Sequence, residues 1–119
     1  MTRSTQTIGV LFADISDSTG IYRKLGDTAA RQTLGDALST LAGVLRDHRG
    51  RLVKTIGDEV LCVFPSADDT VLAAIEMQAR IQSMKADGVP LAVHIGMNFG
   101  PALVEGDDVF AVGVDERTV

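Results

Sequence analysis

The stretch Lys54-Thr55-Ile56-Gly57-Asp58-Glu59 constrains this chain more than any other. It lies between two short strand-like segments, Arg51 to Ile56 and Val60 to Phe64. Glycine tolerates positive φ and aspartate bonds its own backbone, so Gly57-Asp58 predicts a two-residue turn and the flanks predict a β-hairpin. An acid at the tip of a tight hairpin is ordinary and by itself marks only a turn former. It gains weight from a second acid, Asp14, at the end of the apolar run Ile8-Gly9-Val10-Leu11-Phe12-Ala13. The question for the rest of the chain is whether the fold brings these two carboxylates together.

Residues 1–6 are polar and are expected to fray. Thr7 to Asp14 reads as the first strand. Ile15-Ser16-Asp17-Ser18-Thr19-Gly20 is a turn of small polar residues, suited to capping a helix while leaving N–H groups free. A helical region runs from there to about His48, interrupted near Gly26-Asp27, where Asp27 is placed to cap a fresh start. Leu34, Leu38, Leu41 and Leu45 form its apolar stripe, and Gly50 stops it. Pro65 ends the second hairpin strand. Ser66 and Asp69 stand at capping-box spacing ahead of a second helix, whose apolar residues are Val71, Ile75, Met77, Ile81 and Met84. That helix ends at Asp87-Gly88-Val89-Pro90. Leu91 to Asn98 alternates between apolar and small or polar residues, which predicts a fourth strand with one face buried. Gly100-Pro101 is expected to punctuate, before Ala102-Leu103-Val104 and Val109-Phe110-Ala111-Val112 form a small closing hairpin.

The 119 residues suffice for one domain with a core that needs no cross-links, and 45% apolar content argues against disorder. A net charge of −5 speaks against a general nucleic-acid or anionic-membrane binder. It leaves room for a small anionic ligand, because a metal or a few lysines invert the local field. One tyrosine and no tryptophan leave an RNA-binding sheet without its stacking aromatics. Cys62 is the single cysteine, which removes a disulfide framework and a cysteine metal cluster; in an apolar strand it reads as a small core residue. No apolar run approaches the ~20 residues of a membrane span and the polar start is no signal peptide, so the expected location is the cytosol.

The order β-α-β-β-α-β suits an α+β ferredoxin-like sandwich, with two helices on one face of an antiparallel sheet and a short C-terminal hairpin added. In the usual 4-1-3-2 strand order, strand one lies antiparallel beside strand three. That arrangement brings Asp14 and Asp58 to one edge of the sheet, next to the start of the first helix. Two carboxylates with few other ligands suit a hard ion such as Mg²⁺, which fills its remaining positions with water and phosphate. Exposed helix N–H groups suit phosphate. Together they describe a nucleoside triphosphate site with two-metal phosphoryl chemistry. The plainer reading stands beside it: Asp14 caps a helix and Asp58 makes a turn.

Three segments, in order and in spacing, resemble the class III adenylate/guanylate cyclase catalytic domain. They are Phe12-Ala13-Asp14-Ile15 with Ser16-Asp17-Ser18-Thr19, then Lys54-Thr55-Ile56-Gly57-Asp58-Glu59-Val60, then His94-Ile95-Gly96-Met97-Asn98-Phe99-Gly100-Pro101. The resemblance runs from about Ile8 to Phe110. It implies that Asp14 and Asp58 hold two Mg²⁺ or Mn²⁺ ions, with the backbone carbonyl of Ile15 as a further ligand. Ser18 and Thr19 match the turn that holds the triphosphate. Lys54 matches a purine-reading lysine, and Asp108 sits where its adenine-reading partner is expected, which favours ATP over GTP. The implied reaction is attack of the ribose 3′-oxygen on the α-phosphate, giving cyclic AMP and pyrophosphate. Such sites form between the subunits of a dimer, here a homodimer, with the metal half and the purine half from different chains. Each position has a structural rival: Lys54 as a snorkelling edge lysine, Asp108 as half of a turn, His94 as a sheet-face residue and His48 as a helix-end cation. The related diguanylate cyclase hairpin, Gly-Gly-Asp-Glu-Phe, is not met, because Ile56-Gly57-Asp58-Glu59-Val60 lacks the first glycine and the phenylalanine.

The resemblance weakens after Phe110. The family pattern places an asparagine that orients the ribose at Asp115, and an arginine that stabilises the transferring phosphoryl group at Val119. Aspartate there sets a negative charge beside a polyphosphate and lacks the amide donors. Loss of such an arginine costs about 10³-fold or more in phosphoryl transfer. Arg117 lies two positions early. Residues 1–119 therefore read as a single cyclase-like domain expected to lack the family's C-terminal part. Two functions follow: an adenylate cyclase domain in intracellular signal transduction, or a catalytically inactive homology domain that binds nucleotide or serves dimerisation and regulation.

Overall fold

Apolar runs of opposite direction pair around the first strand to build one antiparallel sheet. Strand β1 (Arg3–Ile15) lies between β3 (Glu59–Phe64) and β6 (Val93–Glu105). Strand β2 (Arg51–Ile56) pairs outside β3 and β7 (Asp108–Ala111) pairs outside β6, giving the order β2-β3-β1-β6-β7. The first four of these strands form the expected 4-1-3-2 ferredoxin-like arrangement, and β7 is the added strand. The computed structural model describes residues 3–86, 88–106 and 108–111. A two-residue ladder of β4 (Lys85–Ala86) with β5 (Val89–Pro90) joins the second half of the chain to β6.

Among the described residues three helices cover one face: α1 (Ser18–Leu25), α2 (Asp27–Asp47) and α3 (Ala67–Ser83). The break between the first two falls at Gly26, whose φ of 80° suits glycine; Gly26 itself stands before α2, and Asp27 is its first residue rather than its cap. Leu34, Leu41 and Leu45 are buried as their spacing predicts, with Leu38 packed at their margin. They meet Leu11, Ala13 and Ile15 of β1 and Val60, Cys62 and Phe64 of β3. Each fully buried large residue here contributes about 1.5–3 kcal/mol of transfer free energy. The other sheet face carries a smaller cluster of Val10, Leu61, Val63, Ala102 and Val109.

Three expectations are corrected. Residues 3–6 are not frayed: β1 pairs with β6 from Arg3↔Glu105 onward. Gly100-Pro101 does not punctuate, and β6 runs unbroken to Glu105. Pro101 faces Thr7 of β1, and among the described residues β7 covers β6 only from Ala102 onward, so the open edge tolerates the missing N–H. In α3, Val71 and Ile75 are exposed at 43% and 59%, whereas Thr70, Ala73, Ala74, Met77 and Ile81 face the sheet. The small residues let α3 lie close: a Cβ on Gly9 of β1 would overlap the Thr70 side chain. The Ser66 cap is as expected, accepting from the Asp69 N–H at 3.1 Å.

Candidate active site

The β2–β3 hairpin closes through Gly57-Asp58, between the paired residues Ile56 and Glu59. Gly57 has φ 60° and Asp58 does not share the positive φ, the pattern of a type II′ turn. Glu59 is also the cross-strand partner of Asp14. Asp58 therefore stands one residue from Asp14's partner, and the two carboxylates share one end of the sheet, as the topology predicted. Asp14 is exposed and Asp58 half-buried. Among the described residues neither carboxylate has a hydrogen bond or an ion pair.

Directly after Asp14 the chain is pinned and then turned. The Ile15 side chain is buried, and the Ser16 N–H donates to the Ala92 carbonyl at 2.9 Å. Asp17 adopts the left-handed region (φ 52°) and caps α1, its Oδ1 accepting from the Gly20 N–H at 3.0 Å. Its carbonyl accepts from Ile21. The N–H groups of Ser18 and Thr19 have no backbone partner among the described residues, as is usual for the first donors of a helix. The buried Ser16 Oγ also lacks a partner among them. Donor capacity is thus left over beside the two acids, which fits a phosphate group there.

No group of three or more His, Cys, Asp or Glu side chains suited to caging a metal occurs among the described residues. This argues against a zinc-type cage. Two carboxylates are what a Mg²⁺-type ion needs from the protein, with water and phosphate completing its shell. His94 is exposed and pairs across from Asp14 on the other side, opposite Glu59. By sequence His94 reads as a sheet-face residue; the alternation of strand four together with the 4-1 pairing carries the signal that it neighbours Asp14.

Lys54 is exposed on the edge strand β2, and Asp108 opens β7 opposite Glu105. A β-bulge between Leu52 and Lys54 pairs Lys54 with Leu61, which sets it on the face away from the helices. Although β2 and β7 sit at opposite ends of the strand order, their Cα atoms approach within 8 Å. The sheet curls over that face, with Val109 packed into the cluster of Leu61 and Val63. Strands bearing Lys54 and Asp108 therefore converge within one chain. Asp115, Arg117 and Val119 lie outside the described residues. No described helix is long and apolar enough to cross a membrane.

Comparison with known proteins bears on the fold and the family. The chain is 31% identical over 108 residues to an adenylate cyclase of Streptomyces coelicolor, covering 91% of this chain and 28% of that protein. An adenylate/guanylate cyclase/hydrolase from Silicibacter pomeroyi superposes with a TM-score of 0.75 at 25% identity, over 92% of this chain and 66% of that one. The catalytic core of a rhodopsin-guanylyl cyclase with converted specificity, in complex with ATPαS, gives a TM-score of 0.79 at 23% identity, over 93% and 69% of the two chains. This chain thus spans between 14% and 28% of the length of the curated relatives it matches. The adenylate and guanylate cyclase catalytic domain profile matches residues 1–110, and the chain belongs to that family.

Proposed function

We propose that this domain is an adenylate cyclase catalytic domain that converts ATP to cyclic AMP and pyrophosphate, as a homodimer with composite sites. One observation carries the reading: the Asp14↔Glu59 register sets Asp14 and Asp58 at one sheet end with no ion pair at either carboxylate among the described residues. Asp14, Asp58 and the Ile15 carbonyl would hold two Mg²⁺ or Mn²⁺ ions. Such ions, when bound, favour ionisation of a ribose 3′-hydroxyl and carry charge on a leaving pyrophosphate. The Ser18 and Thr19 N–H groups donate to phosphate oxygens at the start of α1. Lys54 and Asp108 read the adenine edge from the purine half, a pairing that the approach of β7 to β2 supports. In the proposed homodimer, as in the family the chain resembles, the purine half facing Asp14 and Asp58 comes from the partner. The name of the Streptomyces relative favours ATP as substrate. The proposed setting is cytoplasmic signalling.

Asp115 and Val119 favour a second reading, a nucleotide-binding or dimerisation module without turnover. Cyclic AMP formation from ATP by the purified chain, with Mn²⁺ and with Mg²⁺, separates the two. Product that disappears in Asp58→Ala supports the cyclase. ATP binding that needs metal, without product, supports the module.

A further inference from the structure

We propose that the domain carries a second ligand site, on the helix side of its hairpin, for a small uncharged apolar molecule bearing one hydroxyl group. A cavity of about 250 Å³ opens between α2, β2 and β3. Its walls include Leu38, Leu41, Leu52, Val60, Cys62 and Met77, and among the described residues no charged side chain lines it. Leu41, Cys62 and Met77 are fully buried and form its depth. The polar groups that line it, Ser39 and Thr55, belong to exposed residues and so mark its mouth. This lining rejects anions, metal ions and nucleotides, which would lose their hydration against it. An apolar cavity of ~150 Å³ stays dry and admits benzene, so this larger one takes a ring with a short side chain.

The cavity is built by the same irregularity that orients Lys54. Leu52 pairs with Cys62 and Thr55 with Val60, so both face the helices although they are three positions apart. The intervening bulge makes this possible; in a regular strand they would point to opposite faces. Leu52 is left 45% exposed at the rim, where a ligand would cover it. Cys62 is no covalent handle. Burial pushes its thiol up to about 12, and the thiol is directed at the Leu11 carbonyl, 3.5 Å away. Binding is therefore reversible, with the hydroxyl held by Ser39 or Thr55. The floor strands are those that end in Gly57-Asp58, so occupancy is transmitted to the hairpin tip. The site stands without the cyclase reading; only an effect on turnover would depend on it.

The test is a titration of the whole ¹⁵N-labelled chain with benzyl alcohol, followed by amide shifts and by the melting midpoint. Saturable shifts at Leu52, Thr55, Val60 and Cys62, smaller ones at Gly57 and Asp58, and a rising midpoint are expected. All should vanish in Ala42→Leu, which fills the cavity from α2. Should that variant not fold, Ser39→Leu at the exposed mouth tests the same point. No saturable shift in the parent, or equal shifts in a folded filled variant, overturns the proposal. So does a parent dimer that Ala42→Leu converts to monomer without any benzyl alcohol response, because a second copy would then be the occupant.

Discussion

The two ends of strand β3 treat their acids in opposite ways. Beyond Phe64, Asp69 is engaged by the Ser66 hydroxyl at 2.9 Å and by Arg49 at 2.7 Å. Further along α3, Glu76 meets His48 at 2.8 Å and Arg80 at 2.7 Å. These contacts tie the end of α2 to α3. At the Glu59 end, Asp14 and Asp58 have no such partners among the described residues. One end uses its carboxylates to hold helices together; the other leaves those of Asp14 and Asp58 without a side-chain partner among the described residues. Charge left uncompensated by the fold is charge available to a ligand.

The comparison breaks most sharply at Asp58. In an active dimer, Asp58→Ala should lower turnover by at least about 10³-fold, the scale of losing charge stabilisation in phosphoryl transfer. Its melting midpoint should stay level or rise, since no described contact is removed. Steady-state kinetics and thermal melts on the same preparation check both halves.

Packing substitutions should show the reverse pattern. Gly9→Ala drives a methyl into Thr70 and should destabilise the fold by about 1–3 kcal/mol through overpacking of β1 against α3. Ser66→Ala removes the α3 cap and should cost about 1 kcal/mol. In denaturant titrations both midpoints fall, and in the folded population ATP or metal affinity should be unchanged.

The smallest effect is in pH. Burial pushes the Asp69 carboxyl up, but hydrogen bonds from Ser66 and Arg49 and the nearby positive charges outweigh it, leaving it below its usual range. The His48 hydrogen bond, aided by Arg80 and opposed by desolvation, likewise lowers Glu76. Carboxylates held lower in the folded state lend stability above their unfolded values, about 3.9 and 4.3. That stability is lost as pH falls through the folded values. Melting midpoints should therefore decline below about pH 4, and Glu76→Gln should decline less steeply.

Much of this was legible in the chain. Element order, the hairpin at Gly57-Asp58 and the strand-one to strand-three pairing follow from local pattern plus the known strand order, and they suffice to bring Asp14 to Asp58. The Ser66 cap and the leucine stripe of α2 are local too. What escaped depends on neighbours. Pro101 reads as a breaker, yet it is tolerated where a strand edge is open. Val71 and Ile75 read as core, yet the helix turns Ala73 and Ala74 inward because Gly9 lets Thr70 approach. The bulge at Leu52–Lys54 has no turn residue to announce it, so neither the cavity nor the convergence of β2 with β7 was visible beforehand.

The most direct measurement is Mn²⁺ titration of the ¹⁵N-labelled chain with ATP present, reading paramagnetic broadening residue by residue. Broadening should concentrate on Ile15 to Thr19 and on Gly57 to Glu59, and should be lost in an Asp14→Ala, Asp58→Ala double variant. Broadening centred on Asp69 and Glu76, or spread evenly over the surface acids, would contradict a metal site at the Asp14–Asp58 end.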